Sequence, residues 1–213
     1  MAKPPENGLI EGEDGVLRCW WHGSDAEYLR YHDEEWGVPV KEDIRLFEKI
    51  NLEGFQAGLS WLTILRKRNN FREAFDGFDF NKIIHYDDND VGRLVKNAGI
   101  IRHRGKIKST INNAHQIQKI IEEFGSFAAY IWQFEPDDKD RPPHCDYKTL
   151  CQITMSEESK ALSKDLKKRS FSFVGPTTCY AFLQSMGVVN DHVEGCICRE
   201  KIEKARRNFK RPT

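Results

Sequence analysis

Residues 160–186 read KALSKDLKKRSFSFVGPTTCYAFLQSM, and this stretch decides the fold. Lys160 to Arg169 reads as a helix, with Ala161, Leu162 and Leu166 at the spacing of one face. Ser170 to Gly175 is a tight apolar turn. Pro176 suits the first position of a second helix, where its missing N–H costs nothing, and Gly187 ends that helix after Met186. Upstream, Thr154-Met-Ser-Glu157 fits a capping box for the first helix. Such a pair is either an ordinary helical hairpin or a phosphate-binding device. In the second case Gly175 lets the backbone approach a phosphate, and N–H groups at the start of the second helix point at it. Lys164, Lys167, Lys168 and Arg169, just before the turn, favour phosphate. Phe173 and Thr177, either side of Gly175, complete the candidate contacts. These would position the protein on DNA without reading sequence.

Helical spacing extends through most of the chain. Ile44, Phe47 and Ile50 mark one face, followed by Ile64, Phe71 and Phe75. Val91, Leu94, Val95 and Ala98 form a stripe stopped by Gly99. Ile107, Ile111, Ala114 and Ile121 form another, ended by Gly125. Ser126 caps a short helix through Phe134, which Pro136 terminates. Residues 137–153 are polar and proline-bearing, and read as a surface loop. No alternating strand pattern of useful length is present, so the expectation is an all-α protein without repeats.

The chain has 213 residues, 39% hydrophobic and 31% charged, which is globular rather than disordered. No apolar run approaches the ~18 residues of a membrane span. Residues 1–16 are acidic with two prolines, unlike a signal peptide, and read as a flexible extension. Six cysteines without a secretory context suit a reducing cytoplasm. Net charge is zero, so nucleic-acid binding must come from local patches. Besides Lys164–Arg169, these are Arg102 to Lys108 and the tail from Arg199, with seven Lys or Arg against two Glu.

Two Cys/His pairs stand far apart: Cys19 with His32, and His192 with Cys196. Two thiolates and two imidazoles can close a tetrahedral zinc site with no position left for water, which would be structural. Equally, each cysteine can be a small buried hydrophobe and each histidine a satisfied polar residue. Spacing alone leaves both readings open. His22 and Cys198 are nearby residues of the same types.

The N-terminal third is rich in aromatics around two unusual runs, Tyr31-His-Asp-Glu-Glu-Trp-Gly-Val-Pro39 and Leu52-Glu-Gly-Phe-Gln-Ala-Gly-Leu-Ser-Trp61. Glu53 lies in an apolar setting. A carboxylate near an aromatic wall can accept hydrogen bonds from a base's amino group while rings stack on its faces. The rings also suit a cationic ligand. Trp21, Tyr31 and Trp61 would cluster near Glu53 if a metal gathered Cys19 and His32. Trp36 reads as core.

These runs, with Arg18-Cys-Trp-Trp21, Asn97 to Ile107, Phe173-Val-Gly-Pro-Thr and Asn190-Asp-His-Val, resemble the bacterial 3-methyladenine DNA glycosylase I family over about residues 17–198. The resemblance implies a helix–hairpin–helix glycosylase architecture, with the hairpin at about 160–187 and a basic tail at 199–213. It implies structural Zn2+ on Cys19, His32, His192 and Cys196. It places Trp21, Tyr31, Glu53 and Trp61 around the damaged base, with Glu53 as the catalytic carboxylate. Gly58 and Leu59 would probe the gap left by a flipped nucleotide. The expected substrate is double-stranded DNA containing 3-methyladenine and the product is the free base. A monomeric, monofunctional hydrolase without lyase activity is expected. In the wider helix–hairpin–helix superfamily a catalytic Asp follows the hairpin by about twenty residues; Asp191 lies near that place but reads here as a cap orienting His192. Phe55 and Trp20 stand where the family pattern leads one to expect smaller or polar residues, and Phe55 could alter the pocket wall.

Overall fold

The computed structural model describes residues 4–213. In chain order, a short antiparallel pair, β1 (Leu9–Glu11) and β2 (Leu17–Cys19), precedes α1 (Ala26–Glu34), α2 (Asp43–Gln56), α3 (Trp61–Leu65) and α4 (Arg68–Ala74). Then come α5 (Phe80–Ile83), α6 (Asp88–Lys96), α7 (Arg104–Phe124) and α8 (Phe127–Trp132). The last third holds α9 (Tyr147–Leu150), α10 (Glu157–Lys168), α11 (Pro176–Ser185) and α12 (Ile197–Asn208).

Helix α2 runs through the core. Every residue from Leu46 to Phe55 is buried, which is what a helix apolar on several faces requires. That burial also carries Glu48, Lys49 and Glu53 inside, where charges must find partners. Helix α7 begins at His103, whose ring accepts from Lys106 N–H, and ends at Gly125 with φ +81°. Only glycine holds that conformation without strain, and Ser126 at once caps α8 through Ala129 N–H.

Helices α10 and α11 form the hairpin. Pro176 opens α11, while the box that starts α10 is Ser156 with Ser159, not Thr154 with Glu157. A serine hydroxyl both donates and accepts, so the cap can form two residues later than the spacing suggested. The turn is fixed from behind. Ser172 donates N–H to Asn113 Oδ1, and its carbonyl accepts from Ser109 Oγ at 3.1 Å. A Cβ on Gly54 would stand 3.1 Å from Phe173 Cβ, so this glycine lets the turn lie against α2.

Four expectations need correction. The chain is mostly helical, but β1 and β2 pair Leu9 with Cys19, as three-residue strands too short to alternate visibly. The segment expected as a flexible extension is therefore built in from Leu9, which packs with Cys19, Val193, Cys196 and Cys198. Within 137–153, α9 forms and Cys145 is buried, so this stretch is not merely a surface loop. The basic tail is largely helix α12, and Arg206 and Arg211 both bond to Glu135.

Candidate base pocket and metal centre

Beside α2 lies a cavity of about 350 Å³, walled by Trp20, Trp21, Tyr28, Tyr31, Trp36 and Trp61, with Glu53 among its residues. That volume sits at the low end of the ~300–1,000 Å³ usual for ligand pockets and suits one flat heterocycle. Ser60 caps α3 and so sets Trp61 on its first turn, 5.4 Å from the Tyr31 ring. Trp21 stacks at 4.9 Å from Tyr28. The structure thus brings Trp21, Tyr31, Glu53 and Trp61 together. Trp61 Nε1 is buried and has no hydrogen-bond partner.

Lys49, one turn before Glu53, was not singled out from the sequence. Its Nζ lies 2.6 Å from Glu53 Oε1, 2.9 Å from Tyr31 OH and 3.1 Å from the centre of the Trp61 ring. Burial pulls its pKa down to about 8, opposed by the Glu53 charge. Burial, then the same carboxylate, raises Tyr31 well above the ordinary tyrosine value, so its hydroxyl stays protonated. The only sequence signal was a lysine four residues before a glutamate, inside the apolar run Phe47 to Phe55.

Two readings of the wall need adjustment. Trp36 packs half-buried against the core, as expected, but also lines the cavity, its ring 4.6 Å from His192. Phe55 is not wall but core, 4.6 Å from Phe71, because it projects from the opposite side of α2. Asp191 reaches the cavity with both oxygens engaged: Tyr180 OH at 2.5 Å, Gln184 Nε2 at 2.8 Å, and an ion pair to Arg141. It caps no helix. The residue that orients His192 is Asn190, whose Oδ1 accepts from Nδ1 at 2.8 Å.

Behind Trp21, the donor atoms of His32, His192, Cys196 and Cys198 lie within 4.8 Å of one another, all buried. This group could hold a metal. It contains Cys198 in place of the expected Cys19, which adjoins it, fully buried, its Sγ accepting from Val193 N–H at 3.4 Å. Hydrogen bonding with the Cys19 thiol first, then with Cys198, holds the Cys196 thiol far below its ordinary pKa. Burial lowers His192 to about 4, so its ring is neutral.

The tautomers divide the five donors. Asp33 Oδ1 lies 2.7 Å from His32 Nδ1, and a carboxylate only accepts, so Nδ1 carries the proton. His32 Nε2 then turns its lone pair toward Cys196 Sγ at 3.5 Å. Asn190 fixes His192 in the same tautomer, leaving its Nε2 buried and unpartnered. Cys198 stands on the protonated edge of His32, 3.9 Å from Nδ1 and 3.6 Å from Asp33 Oδ1.

On the surface, Gly58 has φ +81° and Leu59 is 44% exposed. Lys106 holds this loop from below, donating to the carbonyls of Phe55 and Ala57 at the end of α2. Lys106 is therefore spent inside, although Arg102, Arg104 and Lys108 of the same run remain exposed. At the hairpin, Phe173 and Thr177 are exposed, and a Cβ on Gly175 would meet only Thr178 Oγ1, at 3.9 Å. Arg169 differs from the expectation. It is paired with Glu123 at 2.5 Å and Asp165 at 2.6 Å, while Lys164, Lys167 and Lys168 stay exposed. No helix is long and apolar enough to cross a membrane.

The family model for methyladenine glycosylase matches residues 21–200. DNA-3-methyladenine glycosylase 1 of Escherichia coli is 49% identical over 182 residues, covering 85% of this chain and 96% of the relative. The DNA-3-methyladenine glycosylase of Haemophilus influenzae is 46% identical over 185 residues, covering 86% and 98%. A 3-methyladenine DNA glycosylase I from Staphylococcus aureus, solved to examine 3-methyladenine recognition, superposes with TM-score 0.79 at 35% identity, covering 85% of this chain and 96% of that one.

Proposed function

The chain belongs to the methyladenine glycosylase family, and from that premise we propose that it hydrolyses the N-glycosidic bond of 3-methyladenine in alkylated DNA. The observation that carries this reading is a buried carboxylate, Glu53, in the wall of an aromatic cavity sized for one base. The chain's own donors and rings supply what recognition of a purine needs: a carboxylate acceptor for its amino edge, and Trp21, Tyr31 and Trp61 for its faces.

Methylation at N3 makes the adenine cationic within the nucleotide, which weakens its bond to the sugar. When the bond breaks, the electron pair stays with the base and neutralises it, and an oxocarbenium-like sugar remains. Water adds to the sugar carbon and releases a proton. Such a leaving group needs little acid catalysis, so the chain's task is to flip, bind and orient. Flipping costs a few kcal/mol, and less where damage weakens pairing. Leu59, 44% exposed on the Gly58 turn, would fill the gap. The α10–α11 hairpin would hold the backbone as helix–hairpin–helix elements do, through Gly175 and the N-terminus of α11. Asp191, already accepting from three donors, serves structure rather than chemistry.

The metal would be structural Zn2+. Protonated Nδ1 atoms on both histidines leave two Nε2 lone pairs, and these with Cys196 and Cys19 make the donor set the tautomers favour. Cys198 would stay outside as a partner of Asp33. Such a site closes the N-terminal segment onto the C-terminal one and leaves catalysis to the pocket.

Incubation with methylated DNA, followed by analysis of released bases, tests the activity. Free 3-methyladenine with uncleaved backbone is expected, and Glu53→Gln should slow its release. Strand cleavage, or no released base, would overturn the reading.

A further inference from the structure

Lys49 is a fully enclosed charge that the chemistry above does not use. Its ammonium lies against Glu53 Oε1, donates to Tyr31 OH, and rests on the face of Trp61 at 3.1 Å. A carboxylate plus an indole face is the arrangement that would attract a cationic base. Here the chain has supplied that cation itself. A second cation brought to the same place meets a like charge in a buried setting, where screening by water is weak.

Resting on the base-pocket reading, we propose that Lys49 determines the charge state the pocket accepts: with the cation seat between Glu53 and Trp61 filled, it favours a neutral methyladenine over a cationic one. The base is cationic while attached to the sugar and neutral once the bonding pair has moved onto it. A pocket that disfavours the first state relative to the second lowers the barrier between them, because only interactions that differ along the reaction accelerate it. Glu53 would read the amino edge while Lys49 cancels its long-range pull on cations. Lys49 is thus a specificity-determining neighbour of the base, not a group that transfers a proton.

The test uses two probes and calorimetric binding: neutral 3-methyladenine, and 3,9-dimethyladeninium, whose two ring methyl groups keep the positive charge in place. The readout is the change in their affinity ratio between variants, so the extra methyl group cancels. Lys49→Met should shift the ratio toward the cation by roughly tenfold or more. Lys49→Gln should do the same and serves if the Met variant folds poorly, while Lys49→Arg should keep the wild-type ratio. An unchanged ratio in a folded Met or Gln variant overturns the role of Lys49 alone. If the wild-type chain binds neither probe, the base-pocket reading itself falls, and this proposal with it.

Discussion

In the pocket, Lys49 and Glu53 neutralise each other at 2.6 Å beside the rings of Tyr31 and Trp61. In the neighbouring cluster, whose His32 also contacts Trp21, His32 and His192 are each fixed by an oxygen at Nδ1, and His192 Nε2 is left buried without a partner. The two clusters answer the cost of burying polar atoms in different ways. In the pocket the buried charges are paired with each other, although Trp61 Nε1 is left without a partner, and the paired groups can admit a ligand by sharing partners. The His/Cys cluster leaves the His192 Nε2 lone pair met by no protein donor, an arrangement that a bound cation would satisfy. An unmet acceptor therefore points to a bound cation more directly than a cavity points to a substrate.

The largest effect should come from breaking the second cluster. Structural zinc stabilises small sites by on the order of 10 kcal/mol, so Cys196→Ala should lose metal and much of its melting temperature together. Cys19→Ala should behave alike, because in the proposed set it would supply the fourth ligand, whereas Cys198→Ala should keep stoichiometric metal. Metal analysis and thermal unfolding of the three variants check this. Metal loss in Cys198→Ala with retention in Cys19→Ala would reverse the division drawn from the tautomers.

Breaking the first cluster should cost less stability and more function. Glu53→Gln leaves the Lys49 ammonium buried without its partner, a change that typically costs about 3–5 kcal/mol. The amide also loses a charged acceptor worth about 1.5–3 kcal/mol, so free 3-methyladenine should bind roughly ten- to a hundredfold more weakly. Zinc content should not change. If base affinity holds while stability falls, Glu53 serves Lys49 and not the ligand.

How much of this was legible differs between the same two regions. Helix ends were readable wherever one residue type has one solution, as at Gly125 and Ser126 or at Pro176. The Leu9–Cys19 pairing was not, because three residues carry no period and their reason to pair is a cluster built from the far end of the chain. The aromatic and Cys/His residues could be named from the family motifs and their types. Which face each turned to could not: Trp36 reaches the cavity as well as the core, and Phe55 points away from the cavity, once the register of α2 and the turn after α1 are set. Lys49 was passed over because a lysine on a helix ordinarily faces water, and only burial from Leu46 to Phe55 reverses that prior. Arg169 failed for the opposite reason, since Glu123, 46 residues away in sequence, reaches it in space.

A gentler cut into the pocket is Trp61→Ala. It removes a stacking face and the ring under Lys49, but leaves the Lys49–Glu53 pair intact. Loss of a base–aromatic stack costs about 1–3 kcal/mol, so affinity for the free base should drop while the metal site and its thermal transition stay separate from the change. Titration with 3-methyladenine beside metal analysis measures both. A simultaneous loss of zinc would mean that the pocket and the His/Cys cluster are mechanically one unit.

The smallest effect should lie outside both clusters, at the hairpin. Gly175 has an ordinary φ of −64°, so its lack of a side chain is not required by the backbone. Nor is it required by packing, since a Cβ there meets only Thr178 Oγ1 at 3.9 Å. What remains is the approach of something from outside, and the exposed Thr177, Lys164, Lys167 and Lys168 around it suit a phosphate. Gly175→Val should therefore leave melting temperature, zinc content and free-base affinity unchanged, yet weaken binding to damaged and undamaged duplexes by the same factor. Measured across several salt concentrations, the two duplexes should lose affinity in parallel. A loss confined to damaged DNA would move Gly175 from the backbone contact into the pocket, and undiminished binding of both would remove it from the interface.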